Sequence, residues 1–229
     1  MALHVLTGAG SGIGAALATR LHDRGDDLVL VARSAERVEE LEEHFPGAAT
    51  LVADLDVPAA IASAFAGQRL PERVDSLIHG AGVVDLGPVA ELPVSSWEWQ
   101  LNVNLIGPAE LTRILLPAVR AAEGQVLFVN SGAGLRAAPE WSAYAASKHG
   151  LKALADSLRQ EEAPHGVRVS SVFPGRTATP MQERVHEQEG RDYDPSVFID
   201  PESVVTSILT VLDMPRDAQV PELVIRPGV

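Results

Sequence analysis

The run Leu3-His4-Val5-Leu6-Thr7-Gly8-Ala9-Gly10-Ser11-Gly12-Ile13-Gly14-Ala15-Ala16-Leu17-Ala18 decides the fold. A short apolar strand runs into a glycine-rich turn and then into a helix rich in alanine and leucine. Glycines there let the backbone adopt positive φ and approach a ligand closely. The free N–H groups and dipole of the helix that follows attract a pyrophosphate. A glycine-rich turn alone is weak evidence, but its position between a first strand and a first helix is the required context. Outward from it, short apolar runs alternate with helix-length segments to the end of the chain. Leu3–Leu6, Leu28–Val31, Thr50–Val52, Ser76–Ile78, Val126–Val129, Val167–Phe173 and Leu223–Ile225 read as strands covered on both faces. Residues 12–24, 34–45, 58–69, 95–122, 142–163 and 201–213 read as helices. The alternation predicts an α/β fold: a doubly wound parallel sheet of about seven strands in three layers, α/β/α. No linker divides the chain, so 1–229 is read as a single domain.

Composition narrows the function classes. Eighteen Lys and Arg against 31 Asp and Glu give a net charge of −13 over 229 residues. Such a surface repels nucleic acid and anionic lipid. The absence of cysteine removes disulfides, thiolate metal sites and a cysteine nucleophile. No apolar run approaches the ~20 residues that span a bilayer. The N-terminal Met1-Ala2-Leu3-His4 lacks the basic region of a signal peptide, so a soluble, cytoplasmic protein is expected.

The second strand tests the dinucleotide reading. An NAD-binding unit should end it with an acid that bonds the ribose 2′-hydroxyl. Here it ends Val31-Ala32-Arg33-Ser34. The acid is missing, and the Arg33 guanidinium suits a 2′-phosphate, which points to NADP. The competing reading of Arg33 is an ordinary solvated charge before a helix. Asp54, beside Leu55 after the third strand, is a candidate acceptor for the adenine amino group or a helix cap. The chain has two tyrosines and two lysines, and one of each falls in Tyr144-Ala145-Ala146-Ser147-Lys148. Four residues apart on a helix, they share a face. A cation beside a phenol is expected to lower its pKa from the usual value of about 10, making Tyr144 a general acid/base.

With these residues in view, the chain resembles the compact, single-domain short-chain dehydrogenase/reductases. Thr7-Gly8 with Gly12-Ile13-Gly14 is similar to that family's cofactor loop, which also includes Ser11. Ser131, Tyr144 and Lys148 have the spacing of its catalytic triad, and Asn104 in Asn102-Val103-Asn104 that of its fourth catalytic residue. Pro174-Gly175 with Thr177 and Thr179 resembles the segment that holds the nicotinamide. The resemblance implies a Rossmann fold and binding of NADP(H), with Gly8, Ser11, Gly12, Ile13, Gly14, Arg33, Ser34, Asp54, Leu55, Ala81 and Gly82 also at the cofactor. It implies that Tyr144 exchanges a proton with a carbonyl or alcohol oxygen that Ser131 hydrogen-bonds. It further implies that Lys148 lowers the tyrosine pKa and grips the ribose, and that Asn104 holds a water relaying protons to Lys148. No metal is implied. His79-Gly80-Ala81-Gly82 departs from the family's Asn-Asn-Ala-Gly, so His79 reads as structural and the local bonding of the sheet is in question.

The substrate is expected to be a small carbonyl or secondary alcohol. Val83, Val84, Leu135, Arg136, Trp141, Met181, His186 and Tyr193 are candidate lining, with Ser131 and Tyr144 at the reacting group. Arg136 or Arg176 is a candidate carboxylate ligand. Residues 174–200, rich in Pro, Gly and acids, read as a long loop, with a substrate lid at about 176–200. Helices 95–122 and 142–163 are expected to form a homodimer or homotetramer interface, and the C-terminal tail to pack on a neighbouring subunit. The competing function is a non-catalytic NADP(H)-binding redox sensor.

Overall fold

A computed structural model describes residues 1–228. Seven parallel strands form one sheet: β1 (Leu3–Thr7), β2 (Asp27–Ala32), β3 (Ala49–Val52), β4 (Ser76–His79), β5 (Gln125–Val129), β6 (Arg168–Pro174) and β7 (Glu222–Ile225). Their order across the sheet is β3-β2-β1-β4-β5-β6-β7. Thr7 lies opposite both Val31 of β2 and His79 of β4, so the order reverses at β1. Crossovers from the two halves leave the sheet in opposite directions there, which opens a crevice at the strands' carboxyl ends.

Successive side chains point to opposite faces, and both faces are buried. Val5, Leu77 and Phe128 pack with Leu111, Leu115 and Leu151 on one side. Leu6, Ile78 and Leu127 pack with Leu17, Leu21 and Ile208 on the other. Helices α1 (Gly12–Asp23), α2 (Ala35–His44) and α8 (Pro201–Leu212) cover the second face. Helices α3 (Pro58–Phe65), α5 (Gly107–Ala121) and α6 (Ser142–Glu162) cover the first. The layers are those of the Rossmann fold.

Three expectations are corrected. The single helix over 95–122 is α4 (Val94–Leu101) and α5, joined by a π-helical turn over Asn102–Ile106. Pro108 has no N–H to give the carbonyl of Asn104 four residues earlier, so the ordinary ladder fails at that point. Helix α3 stops at Phe65, short of 69, and the Gln68 side chain instead bonds the backbone of Val52 (Nε2 to O 3.1 Å; N to Oε1 3.0 Å).

The segment 174–200 is not a plain loop. It contains a helix, α7 (Pro180–Gln188), with Pro180 in its first turn and the Thr179 hydroxyl accepting from Gln182 N at 3.3 Å. Thr177 bridges Ile199, tying the segment's two ends together. Arg176 grips Glu189 with both terminal nitrogens (2.9 and 2.5 Å) and faces the Trp141 ring. His186, Tyr193 and Phe198 pack ring on ring beneath α7.

Candidate active site

A cleft of about 810 Å3 runs along the carboxyl ends of the strands, from Arg33 at one end to Ser131 and Tyr144 at the other. Its floor is the glycine turn. Gly8 (φ 83°) packs so closely on the turn after β4 that a Cβ there would lie 2.6 Å from Ala81 N. A Cβ on Gly14 would strike the Gly8 carbonyl. Thr7 Oγ1 accepts from both Gly80 N and Ala81 N at 3.1 Å. This threonine clamp supplies the local bonding left in question by the departure at His79-Gly80. His79 itself is buried and stacked on Phe128, and its Nε2 lies 2.8 Å from Thr112 Oγ1. Desolvation lowers its pKa to about 3, so it stays neutral and structural.

The first turn of α1 opens on this floor. Its cap residue Ser11 makes no side-chain capping bond, which leaves helix N–H groups for a ligand. Arg33 lines the cleft at the end of β2 and makes no side-chain hydrogen bond or ion pair among the described residues. A second cation, not anticipated from the sequence, joins it. Arg37, one turn along, pairs with Glu40 and leans over Gly10, whose missing side chain leaves the space. The spacing of four was the signal available. Ser34 lies outside the lining, at the α2 cap. Asp54 lines the cleft while its Oδ1 accepts from Asp56 N (2.9 Å), so the turn toward α3 occupies one carboxylate oxygen. An uncapped helix end, glycine clearances and two arginines with no acid at the end of β2 suit a phosphorylated dinucleotide.

At the other end α6 supplies Tyr144 and Lys148, both buried. Lys148 Nζ sits 5.8 Å from the centre of the tyrosine ring and donates to Val129 O at 3.2 Å. Ser131 caps the short turn after β5, its Oγ accepting from Ala133 N at 3.1 Å. The expected electrostatics are corrected here. Burial pushes the Tyr144 phenol up, against a downward pull from the Ser131 hydroxyl. The same burial lowers Lys148 from 10.5 to about 8. Burial shifts both groups toward their neutral forms, because leaving water costs more than the neighbour returns.

Asn104, on the π-turn, is fully buried behind the cleft wall. Its Oδ1 accepts from Val83 N (2.8 Å), and its Nδ2 donates to Val83 O (2.9 Å) and Ser147 Oγ (3.0 Å). Both amide protons are used, so the side chain is left only as an acceptor toward the expected water. It also fixes the loop that follows Gly82. Pro174, Gly175, Thr177 and Thr179 line the cleft, as do Gly12, Ile13, Leu55, Ala81 and Gly82.

Of the expected substrate residues, Val83, Val84, Arg136, Trp141 and Met181 line the cleft. Leu135, His186 and Tyr193 do not. His186 is buried under α7, with Nδ1 2.9 Å from Asp192 O and Nε2 3.1 Å from Arg176. The cleft is also cationic against the sign of the whole molecule. Seven of the 18 Lys and Arg line it, against two of the 31 acids, Asp54 and Asp56. Three of the seven, Arg37, Arg184 and Arg226 at the end of β7, were not among the site residues expected from the sequence.

A family model described as short chain dehydrogenase matches residues 3–190. Dehydrogenase/reductase SDR family member 7B of Bos taurus is 36% identical over 205 residues, covering 84% of this chain and 63% of its own length. This chain therefore corresponds to less than two thirds of that relative. Oxidoreductase UcpA of Escherichia coli K12 is 32% identical over 219 residues, covering 93% of this chain and 80% of its own. Among solved structures, a short-chain dehydrogenase from Sphingobium yanoikuyae in complex with NADPH superposes with a TM-score of 0.81. It is 29% identical, covering 100% of this chain and 89% of that one.

Proposed function

The chain belongs to the short-chain dehydrogenase family, and on that premise we propose that it is an NADP-dependent oxidoreductase. It interconverts a small carbonyl compound and its secondary alcohol, as a carbonyl reductase or alcohol dehydrogenase. The observation that carries the reading is the burial of Tyr144 and Lys148 together beside Ser131, at the far end of one cleft from Arg33 and Arg37. The NADPH complex of a structural relative supports the choice of dinucleotide.

Gly8, Ser11, Gly12, Ile13 and Gly14 receive the pyrophosphate on the α1 N-terminus, and Arg33 with Arg37 grips the 2′-phosphate. Leu55, Ala81 and Gly82 form the wall, and Pro174, Gly175, Thr177 and Thr179 shape the nicotinamide end. The reduced nicotinamide supplies hydride to the carbonyl carbon when bound. Tyr144, held neutral by burial, is in the protonation state to donate its phenolic proton to the carbonyl oxygen. Ser131 accepts from Ala133 N and so keeps its own proton free to hydrogen-bond that oxygen as negative charge develops. Lys148 carries its charge below pH about 8 and stabilises the phenolate that Tyr144 becomes. Asn104 acts at one remove, positioning Val83 and Ser147. The 176–200 segment is the lid, with α7 as its rigid part and Met181 and Trp141 facing the substrate. Exposed Ile106, in the π-turn between α4 and α5, supports self-association through 95–122 and 142–163.

The test is NADPH consumption with a panel of small ketones, aldehydes and diketones. Tyr144→Phe should lower kcat by at least about 100-fold while NADPH binding is retained. Undiminished turnover in that variant would remove the mechanism.

A further inference from the structure

Three adjacent strands deliver their ends to the substrate side of the cleft: β5 with Ser131-Gly132, β6 with Pro174-Gly175, and β7 with Arg226. The Arg226 guanidinium occupies the space where a Gly132 side chain would stand, with Nη1 3.0 Å from the position of that Cβ. The φ of Gly132 is not positive, so its backbone conformation does not call for glycine. What the missing side chain provides is room for the arginine. Arg226 makes no hydrogen bond or ion pair among the described residues, although the molecule carries 31 acids. Arg176 is engaged by Glu189 and Arg37 by Glu40, whereas Arg33, Arg136 and Arg184, like Arg226, line the cleft with no side-chain partner among the described residues; of these free arginines only Arg226 occupies the side-chain space of the residue that follows Ser131. No Asp or Glu lines this end of the cleft. A guanidinium beside the residue that follows Ser131, with its donors free, is a ready carboxylate clamp.

We propose that Arg226 is a specificity residue that binds a carboxylate of the substrate. The substrate is then a short hydroxy acid or keto acid whose carboxylate lies a few bonds from the reacting carbon. This inference rests on the oxidoreductase reading above and deepens it. The acidic exterior does not oppose it, because contact at Arg226 acts within the ~8–10 Å over which salt leaves charges unscreened.

Binding, read by calorimetry, tests it without turnover. NADP+ is titrated first, and malonate and its diamide are then titrated into both the free and the NADP+-loaded protein. The wild type should bind malonate and not the diamide. Arg226→Gln should weaken malonate by about 10- to 100-fold, the usual range for hydrogen bonds to a charged group, with the NADP+ affinity within twofold. Arg226→Lys, which keeps the charge and loses the fork, should fall between them. Malonate binding unchanged in Arg226→Gln, or absent from the wild type in both states, overturns the proposal. A parallel loss of NADP+ affinity also overturns it and assigns Arg226 to a cofactor phosphate. Malonate binding through Arg226 in a protein that takes no NADP+ upholds the carboxylate site and sinks the dinucleotide reading, so the two failures are told apart.

Discussion

Replacing Lys148 by methionine should make the protein more stable while destroying its activity. The ammonium is buried and its pKa falls from 10.5 to about 8. That fall corresponds to about 3 kcal/mol of destabilisation by the charged form, at ~1.4 kcal/mol per pH unit. Methionine matches the stem and carries no charge. It also abandons the hydrogen bond to Val129 O, at a cost of about 1 kcal/mol. At pH 7 the free Lys148→Met protein should therefore be about 2 kcal/mol more stable, with Tm raised by roughly 4–8 °C at this size. The sign of the pH dependence follows from the folded value lying below the unfolded one. Below pH about 8 the lysine is charged in both states and the whole penalty stands. Between about 8 and 10.5 the unfolded chain holds the extra proton, so the wild type gains stability as pH rises. Near pH 9.5 the two proteins should be about equal. Urea unfolding of both, from pH 7 to 9.5, measures the difference, and effects shared by the two cancel. A variant less stable at pH 7, or a difference that stays flat across that range, would refute the reasoning.

Two other outcomes follow from the cleft and the helix layer. Arg33→Ala should raise the Kd for NADPH by about 10- to 100-fold and leave NADH nearly unchanged, and Arg37→Ala should do the same more weakly because Glu40 already shares its charge; equal losses for both dinucleotides would remove the 2′-phosphate assignment. Light scattering at micromolar protein should report a dimer or tetramer, and a stable species of about 24 kDa would contradict association through the α4–α5 and α6 layer.

The seven strands were legible as short apolar runs: the central ones are buried on both faces, and the partly exposed edge strands β3 and β7 still carry Leu51, Val52, Leu223 and Ile225. The break at Asn102–Ile106 was hidden, since apolar residues continue through a π-turn at nearly helical spacing. Only Pro108 betrayed it. Helix α7 was hidden by its own start signal: Pro180 reads as punctuation until Thr179 is seen to cap it. The pairing of Tyr144 with Lys148 was legible because they are close in the chain. Arg226 was not, because it reaches Gly132 through strand order, with β7 placed beside β6. The protonation of the pair was misjudged for a physical reason. Spacing shows which charges are neighbours, but the cost of removing them from water depends on what covers them, and sequence does not display that.

The turn after β1 and the turn after β4 interlock without clearance, backbone against backbone, under the clamp of Thr7. A side chain added at Gly8 or at Gly80 would drive one turn into the other. The opposite side is built from side chains rather than interlocked backbone, with α7 and the rings of His186, Tyr193 and Phe198 joined at the Thr177–Ile199 bridge. Changes in the shape of the cleft are therefore better borne by substitutions on that side than at the glycine turn.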